Sequence, residues 1–268
     1  MRVEEWLGKD NKLGQDIWNN KYRYKEETFD EWLDRISNNN EQIRQLIIEK
    51  KFLFGGRTLT NYNTYQEGAS TSNCYSSGYA PDNLEGILEL NKNIGLTYKA
   101  QGGQGISLSK IRPKGSNLSG GHTTDGIVPF MEIFNTTTAG VSQGGSRKGA
   151  LMLSINAWHK EAHTFIKIKS EQGKIEKANL SLEIDDDFMT CVKDNLKTNE
   201  DATIHRIFKF DSGEIEYDIK PVKIFNALCE TSWDWAEPAP IFTNRFRNYN
   251  LMEFVDDYNI VTGNPCGR

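Results

Sequence analysis

Three runs in this chain are too short for helices and too regular for loops. Ile106-Ser107-Leu108-Ser109 and Ala178-Asn179-Leu180-Ser181-Leu182-Glu183-Ile184 alternate along the chain, and Ala150 to Ile155 reads as a buried strand. Helix-length stretches lie around them. One runs from Asp82 or Asn83, either of which can cap it, to about Ala100, with Leu84, Ile87, Leu88, Ile94 and Tyr98 on one side. Others span Ile127 to Ala139, residues 159–171 and Pro221 to Trp235, and Asp185-Asp186-Asp187 opens another with acid at its positive end. Parallel strands need a crossover of a dozen or more residues, so this alternation predicts an α/β sheet or barrel with crossover helices. Residues 199–219 read as a polar hairpin or insertion, and Ile241-Phe242 begins the last stretch.

The first fifty residues have a different texture. They are helical and polar, with a capping box at Thr28-Phe29-Asp30-Glu31 and an apolar stripe of Trp32, Ile36, Ile43, Leu46, Ile47 and Ile48. This predicts a small helical lobe over residues 1–53. At Phe54-Gly55-Gly56-Arg57 the chain turns rich in Gly, Ser, Thr, Asn and Tyr, and residues 54–268 are read as the second domain.

Composition narrows the function classes. Lys plus Arg number 32 against 37 Asp plus Glu, which argues against a dedicated nucleic-acid surface. No run of about 18 apolar residues predicts a membrane span, and Met1-Arg2-Val3-Glu4-Glu5 has no apolar signal core. Cys74, Cys191, Cys229 and Cys266 form no CxxC or zinc-type spacing. The expectation is a cytoplasmic protein, in which paired thiols are catalytic or redox-cycling rather than permanent staples. His159 and His163 stand four apart, but no third ligand accompanies them, so no metal site is assigned.

Chemistry-bearing residues cluster in loops. In Asn264-Pro265-Cys266-Gly267-Arg268 a cysteine sits between Pro and Gly, either a thiol presented on a tight loop or a small buried hydrophobe. Gln101-Gly102-Gly103-Gln104-Gly105 and Ser142-Gln143-Gly144-Gly145-Ser146-Arg147-Lys148-Gly149 are glycine loops whose backbone amides could cradle phosphate. Neither fits a sharper template. Ala150 and Leu151 stand where a P-loop needs Lys and Ser/Thr, and Gly102–Gly105 precedes a strand instead of following one, so tight turns are the favoured reading. Arg112, Lys114, Arg147 and Lys148 supply cationic donors beside these loops, or are solvated surface charges. Trp233 and Trp235 are read as core or helix-end packing.

Taken in order, the motifs resemble a known family. Ile17-Trp18, Tyr22-Arg23-Tyr24, Thr28 to Arg35, Phe54-Gly55-Gly56-Arg57, Ser72-Asn73-Cys74-Tyr75, Leu108 to Gly115, Ser142 to Met152 and Asn264-Pro265-Cys266-Gly267 together resemble the catalytic subunit of ribonucleotide reductases, nearest the adenosylcobalamin-dependent class II enzymes. The resemblance implies a helical lobe followed by the first half of a ten-stranded α/β barrel, with the last loop carrying the radical cysteine into the barrel. It implies Cys266 as the thiyl radical, Asn264 as a hydrogen-bonding partner of the substrate hydroxyls and Cys74 as one of the two reducing thiols. Ser72, Asn73 and Gly103 become substrate contacts. Asp82, Arg112, Lys114, Gln143 and Arg147 become contacts of a dNTP or ATP effector, with residues 115–125 and 142–149 as the loops that couple effector to substrate choice.

The same resemblance carries two departures. The family has a Glu two residues after the radical cysteine, acting as general base, and here Arg268 holds that place. The second half-barrel and the partner thiol of Cys74 are not in this sequence. The expectation is therefore an N-terminal fragment that works with a complementing C-terminal half, a ribonucleotide substrate, adenosylcobalamin and an external, thioredoxin-like dithiol. A non-catalytic nucleotide-effector module and an inactive remnant are the alternatives.

Overall fold

The computed structural model describes residues 1–64, 70–143, 147–170, 174–198, 202–252, 254–255 and 259–265, with the backbone alone at 142–143 and 147–148. The chain divides into two compact units, Met1–Asn73 and Cys74–Arg268.

In the first unit the helices are α1 (Val3–Leu7), α2 (Lys12–Ile17), α3 (Phe29–Ser37), α4 (Glu41–Ile48) and α5 (Gly56–Asn61), with a π-turn at Trp18–Tyr22. The capping box forms as read: Thr28 accepts from the Glu31 amide and Glu31 accepts from that of Thr28. The apolar stripe of α3 then buries Phe29, Trp32, Leu33 and Ile36 with Val3, Trp18, Ile47 and Leu59. Phe29 stacks on Trp32 at 5.3 Å between ring centroids. Arg35 grips Glu27 with two bonds of 2.8 and 2.9 Å and donates to the Tyr62 carbonyl at 2.7 Å, joining the start of α3 to the end of α5. Leu46 of the predicted stripe is exposed.

The second unit runs β1 (Cys74–Tyr79), α6 (Leu84–Lys99), β2 (Gly103–Ser107), α7 (Val128–Gly140), β3 (Ser142–Gln143), β4 (Arg147–Lys148), β5 (Leu151–Asn156), α8 (Ala162–Lys167), β6 (Ala178–Ile184), α9 (Asp186–Thr198), β7 (Ile204–Phe210), β8 (Gly213–Ile219), α10 (Pro221–Trp235), β9 (Ala239–Phe242) and α11 (Thr243–Asn248). β1, β2, β5, β6 and β9 form one sheet in that order, every neighbour parallel. The predicted α/β architecture is thus present as a five-stranded parallel sheet, the size of one half of the expected barrel.

Register decides which side chains share a face. Gly105 pairs with Met152, Ser107 with Ser154 and Asn156 with Glu183, so apart from Met152 small and polar residues line one side. Leu151, Leu153, Ile155, Leu180, Leu182 and Ile184 point the other way, into a core with Ile87, Ile94, Tyr98, Phe134, Phe165 and Phe188 from the helices. Burying a large aliphatic side chain of this kind is worth about 1.5–3 kcal/mol. The residue 199–219 segment carries the β7–β8 hairpin, with Phe210, Tyr217 and Ile219 buried and Phe208 stacked on Tyr217 at 5.3 Å.

Several local expectations change. Asn83, not Asp82, caps α6 by accepting from the Gly86 amide, and Leu84 and Leu88 lie exposed on that helix. The glycine stretch at 103–105 is strand, not turn. The helix expected over 159–171 is confined to Ala162–Lys167 with a 3-10 turn at Ile168–Ser170, so His159 precedes it. Both ring nitrogens of His159 are spent in the core, one within 2.9 Å of the Ile111 carbonyl and the other accepting from the Glu161 amide. Trp233 is 90% exposed and Trp235 50%, so neither is core packing.

Candidate active site

The polar face of the sheet meets the last described segment of the chain, residues 259–265. Three strands hold it. A Cβ on Gly105 of β2 would collide with the Gly263 carbonyl and lie 3.1 Å from the Asn264 Cα, so only glycine lets the segment come this close. A Cβ on Gly103 would come within 3.0 Å of Pro265. From β6, Asn179 donates to the Pro265 carbonyl at 2.9 Å, and from β5 the Ser154 hydroxyl meets that of Thr262 at 2.5 Å. The strand glycines therefore serve as a seat for the loop, which is why a turn or phosphate reading of them fails.

Cys74 lies opposite Gly103 in the β1–β2 register, on the strand beside the one that seats Pro265. Its side chain is half-buried. The structure thus assembles Cys74, Gly103 and Asn264 around one stretch of β2, three residues that the sequence separates widely. Cys266 lies outside the described residues. Ser72 and Asn73 are exposed at the end of the first unit.

Beneath Thr262 is a carboxyl group that the sequence reading did not single out. Glu183 accepts from Ser154 at 2.6 Å and from Ser109 at 3.0 Å, and Ser109 in turn accepts from Ser107 at 2.9 Å and from the Asn156 amide at 2.8 Å. Burial pushes the Glu183 carboxyl above the usual range, against the serine hydroxyls and the Arg247 charge, which favour the anion. The only trace in the sequence is a Glu on the polar side of an alternating strand.

Of the expected effector residues, Asp82 and Arg112 are joined in the connections that follow β1 and β2. The Arg112 backbone amide and Nε donate to the Asp82 carboxylate at 2.9–3.1 Å, and its Nη atoms donate to the carbonyls of Asp82 and Asn117. Ser212, at the tip of the β7–β8 hairpin, donates to the same carboxylate at 3.0 Å. Asp82 is 5% exposed, so this pair is a built internal contact and not a pair of loose surface charges. Lys114 enters through its backbone: its amide donates to Glu161 at 3.0 Å, as the Ile127 amide does at 3.2 Å. Those two bonds close the base of the loop 115–125, whose limbs pair through Gly115 with Thr124 and Leu118 with His122. Glu161 was not foreseen, and burial raises its carboxyl above the ordinary range. Gln143 and Arg147 pair as backbone in the β3–β4 ladder, and their side chains lie outside the described residues.

A sequential five-stranded parallel sheet with helices between its strands and a loop seated on its glycines beside Cys74 is an α/β unit the size of half a barrel. The comparisons give that class its family. The ribonucleotide reductase barrel domain matches residues 72–267. The vitamin B12-dependent ribonucleoside-diphosphate reductase of Thermoplasma acidophilum is 30% identical over 98% of this chain and 35% of its own length. The ribonucleoside-diphosphate reductase large chain of Neurospora crassa is 34% identical over 80% of this chain and 25% of its own. The Actinobacillus ureae class Id ribonucleotide reductase alpha subunit shares the fold with a TM-score of 0.75 at 16% identity, covering 98% of this chain and 45% of that one. The chain belongs to the ribonucleotide reductase family. It spans about a third or less of the length of these curated relatives.

Proposed function

We propose that this chain is the N-terminal part of a ribonucleotide reductase catalytic subunit, converting a ribonucleotide to its 2′-deoxy form together with the remainder of the barrel. The observation that carries the reading is the seating of residues 262–265, which directly precede Cys266 in the sequence, on Gly103 and Gly105 of the strand that pairs with the one holding Cys74. Cys266, as a thiyl radical, takes the hydrogen from C3′ of the ribose and returns it at the end. Between those events the C2′ hydroxyl leaves as water, hydrogen takes its place, and two thiols lose two hydrogen atoms and close to a disulfide. Cys74 is one of the two, and its partner comes from the complementing half. Asn264 orients the sugar hydroxyls, with Ser72, Asn73 and Gly103 as further substrate contacts. An external dithiol of the thioredoxin type reopens the disulfide.

The B12 dependence in the name of the Thermoplasma acidophilum relative makes adenosylcobalamin the radical source expected here. The glycine seat at Gly103 and Gly105, where a large group could approach the backbone, is filled by the chain's own Gly263 and Pro265. That seat therefore does not fit the cofactor. Effector binding is assigned to Asp82, Arg112, Lys114, Gln143 and Arg147. To take a phosphate, Arg112 would exchange its Nη bond to the Asn117 carbonyl for one to the nucleotide while keeping Asp82.

The test is reconstitution of this chain, with Arg268→Glu, and the missing half, with a ribonucleotide, adenosylcobalamin and dithiothreitol. Deoxynucleotide should form, Cys266→Ala should abolish it, and Cys74→Ser should consume substrate without completing the reduction. An associated, soluble pair that yields no product sinks the proposal.

A further inference from the structure

Glu183 has no part in the chemistry just proposed, yet it is 3% exposed and sits where three strands and the terminal segment converge. We propose that Glu183 is the positioning residue of the segment 259–265, acting through Ser154 to hold Thr262 and so fixing Asn264 and Pro265 over Gly103 and Gly105. The geometry is continuous. Ser154 lies 2.6 Å from the Glu183 carboxyl and 2.5 Å from the Thr262 hydroxyl, and the opposite carboxyl oxygen is tied to β2 through Ser109. A serine has one hydrogen, so when Ser154 donates to Glu183 it must accept from Thr262. When Glu183 is the acid, it donates to Ser154 and the hydrogen of Ser154 is free for Thr262. The two hydroxyls report the state of the carboxyl to the segment.

The groups that face Glu183 set how this contact responds to pH. They are the serines 107, 109 and 154 from β2, its following turn and β5, Arg247 from α11 and Tyr79 at the end of β1. Arg247 favours the anion and burial opposes it, and burial wins, so the carboxyl stays protonated above the ordinary carboxylate range. Ionising it places a charge in an enclosed polar pocket. Lifting the segment lets water reach that charge, so loss of the proton and release of Thr262 go together. The folded, closed state binds the proton more tightly, and its advantage is therefore complete at low pH and lost as pH rises through the raised value.

The proposal concerns how the segment is held, and only its bearing on turnover rests on the reductase reading. Hydrogen–deuterium exchange of the whole chain, expressed as protection factors for a peptide over 259–265 and corrected for the intrinsic pH dependence of exchange, tests it. Protection in the wild type should fall several-fold as pH rises through the raised value of the Glu183 carboxyl. Glu183→Gln, which keeps the shape without a titrating proton, should hold protection flat. Thr262→Val, which leaves the sheet untouched, should lower protection at every pH while β5 and β6 stay protected. A Gln variant that keeps the wild-type pH profile, or a Val variant with wild-type protection, overturns the proposal. Because neither readout needs turnover, an inactive reconstitution leaves this result intact.

Discussion

At Gly105 a single hydrogen atom decides whether the terminal segment can lie on the sheet. Gly105→Ala puts a methyl group into the Gly263 carbonyl, and backbone cannot swing aside as a side-chain tip can. The sheet should survive, since Ala is tolerated in a strand. Exchange protection at 259–265 should drop and turnover of the reconstituted enzyme should fall at least tenfold with the melting temperature nearly unchanged. His159 offers a different residue-scale test. Burial drives its imidazole from 6.5 down to about 4, so the unfolded chain binds the proton better. Its contribution is complete above about pH 6.5 and lost as pH falls toward 4, roughly 3 kcal/mol in all. Glu161 and Glu183, raised instead of lowered, act with the opposite sign and lose stability as pH rises. A His159→Gln variant, followed by denaturant unfolding across that range, should show a flatter acid limb than the wild type. Neither the seat nor the buried imidazole could be read from sequence, because both depend on which backbone passes overhead. The Gly102–Gly105 run advertised a special backbone need but not its cause.

Elements announce themselves where the signal is local. The Thr28 box, the Ala178–Ile184 alternation and the Pro221 start of α10 all stand where the sequence puts them, because each is set by neighbours within a few residues. Where burial is set by distant partners the reading slips, as with the exposed Leu84 and Leu88 of α6 and the exposed Trp233 and Trp235 of α10. The same contrast sets magnitudes within the helical unit. Thr28→Ala removes one cap and should cost about 1 kcal/mol. Trp32→Ala empties a fully buried position between Trp6, Trp18 and Phe29 and should cost about 3–5 kcal/mol. Thermal unfolding of the two variants should rank them in that order, and equal losses would mean the aromatic cluster is looser than its geometry implies.

At the scale of the whole molecule, β1 and β9 are the outer strands of the sheet among the described residues. Phe242 of β9 is exposed, as are Tyr249, Leu251 and Phe254 further along the chain. Open parallel edges flanked by apolar side chains invite pairing with another chain. Sedimentation of the chain alone should show concentration-dependent association, and adding the complementing half should replace it with a defined heterocomplex. A chain that stays monomeric at about 100 μM, well into the range where exposed edges associate, would mean the edges are covered some other way. Among the described residues no helix is long and apolar enough to cross a membrane.

The strand order carries one more consequence, for the way the molecule is made. Each strand of the parallel sheet pairs with the one before it along the chain, so the sheet can grow in step with synthesis, each new strand finding a finished neighbour. Thr262 reaches back 108 residues to Ser154, and Pro265 reaches back 86 to Asn179. Contacts of such separation form late. Pulse-labelled refolding should therefore protect β2, β5 and β6 before 259–265, with the stretch leading to the candidate radical cysteine laid down last, on a platform already built to receive it.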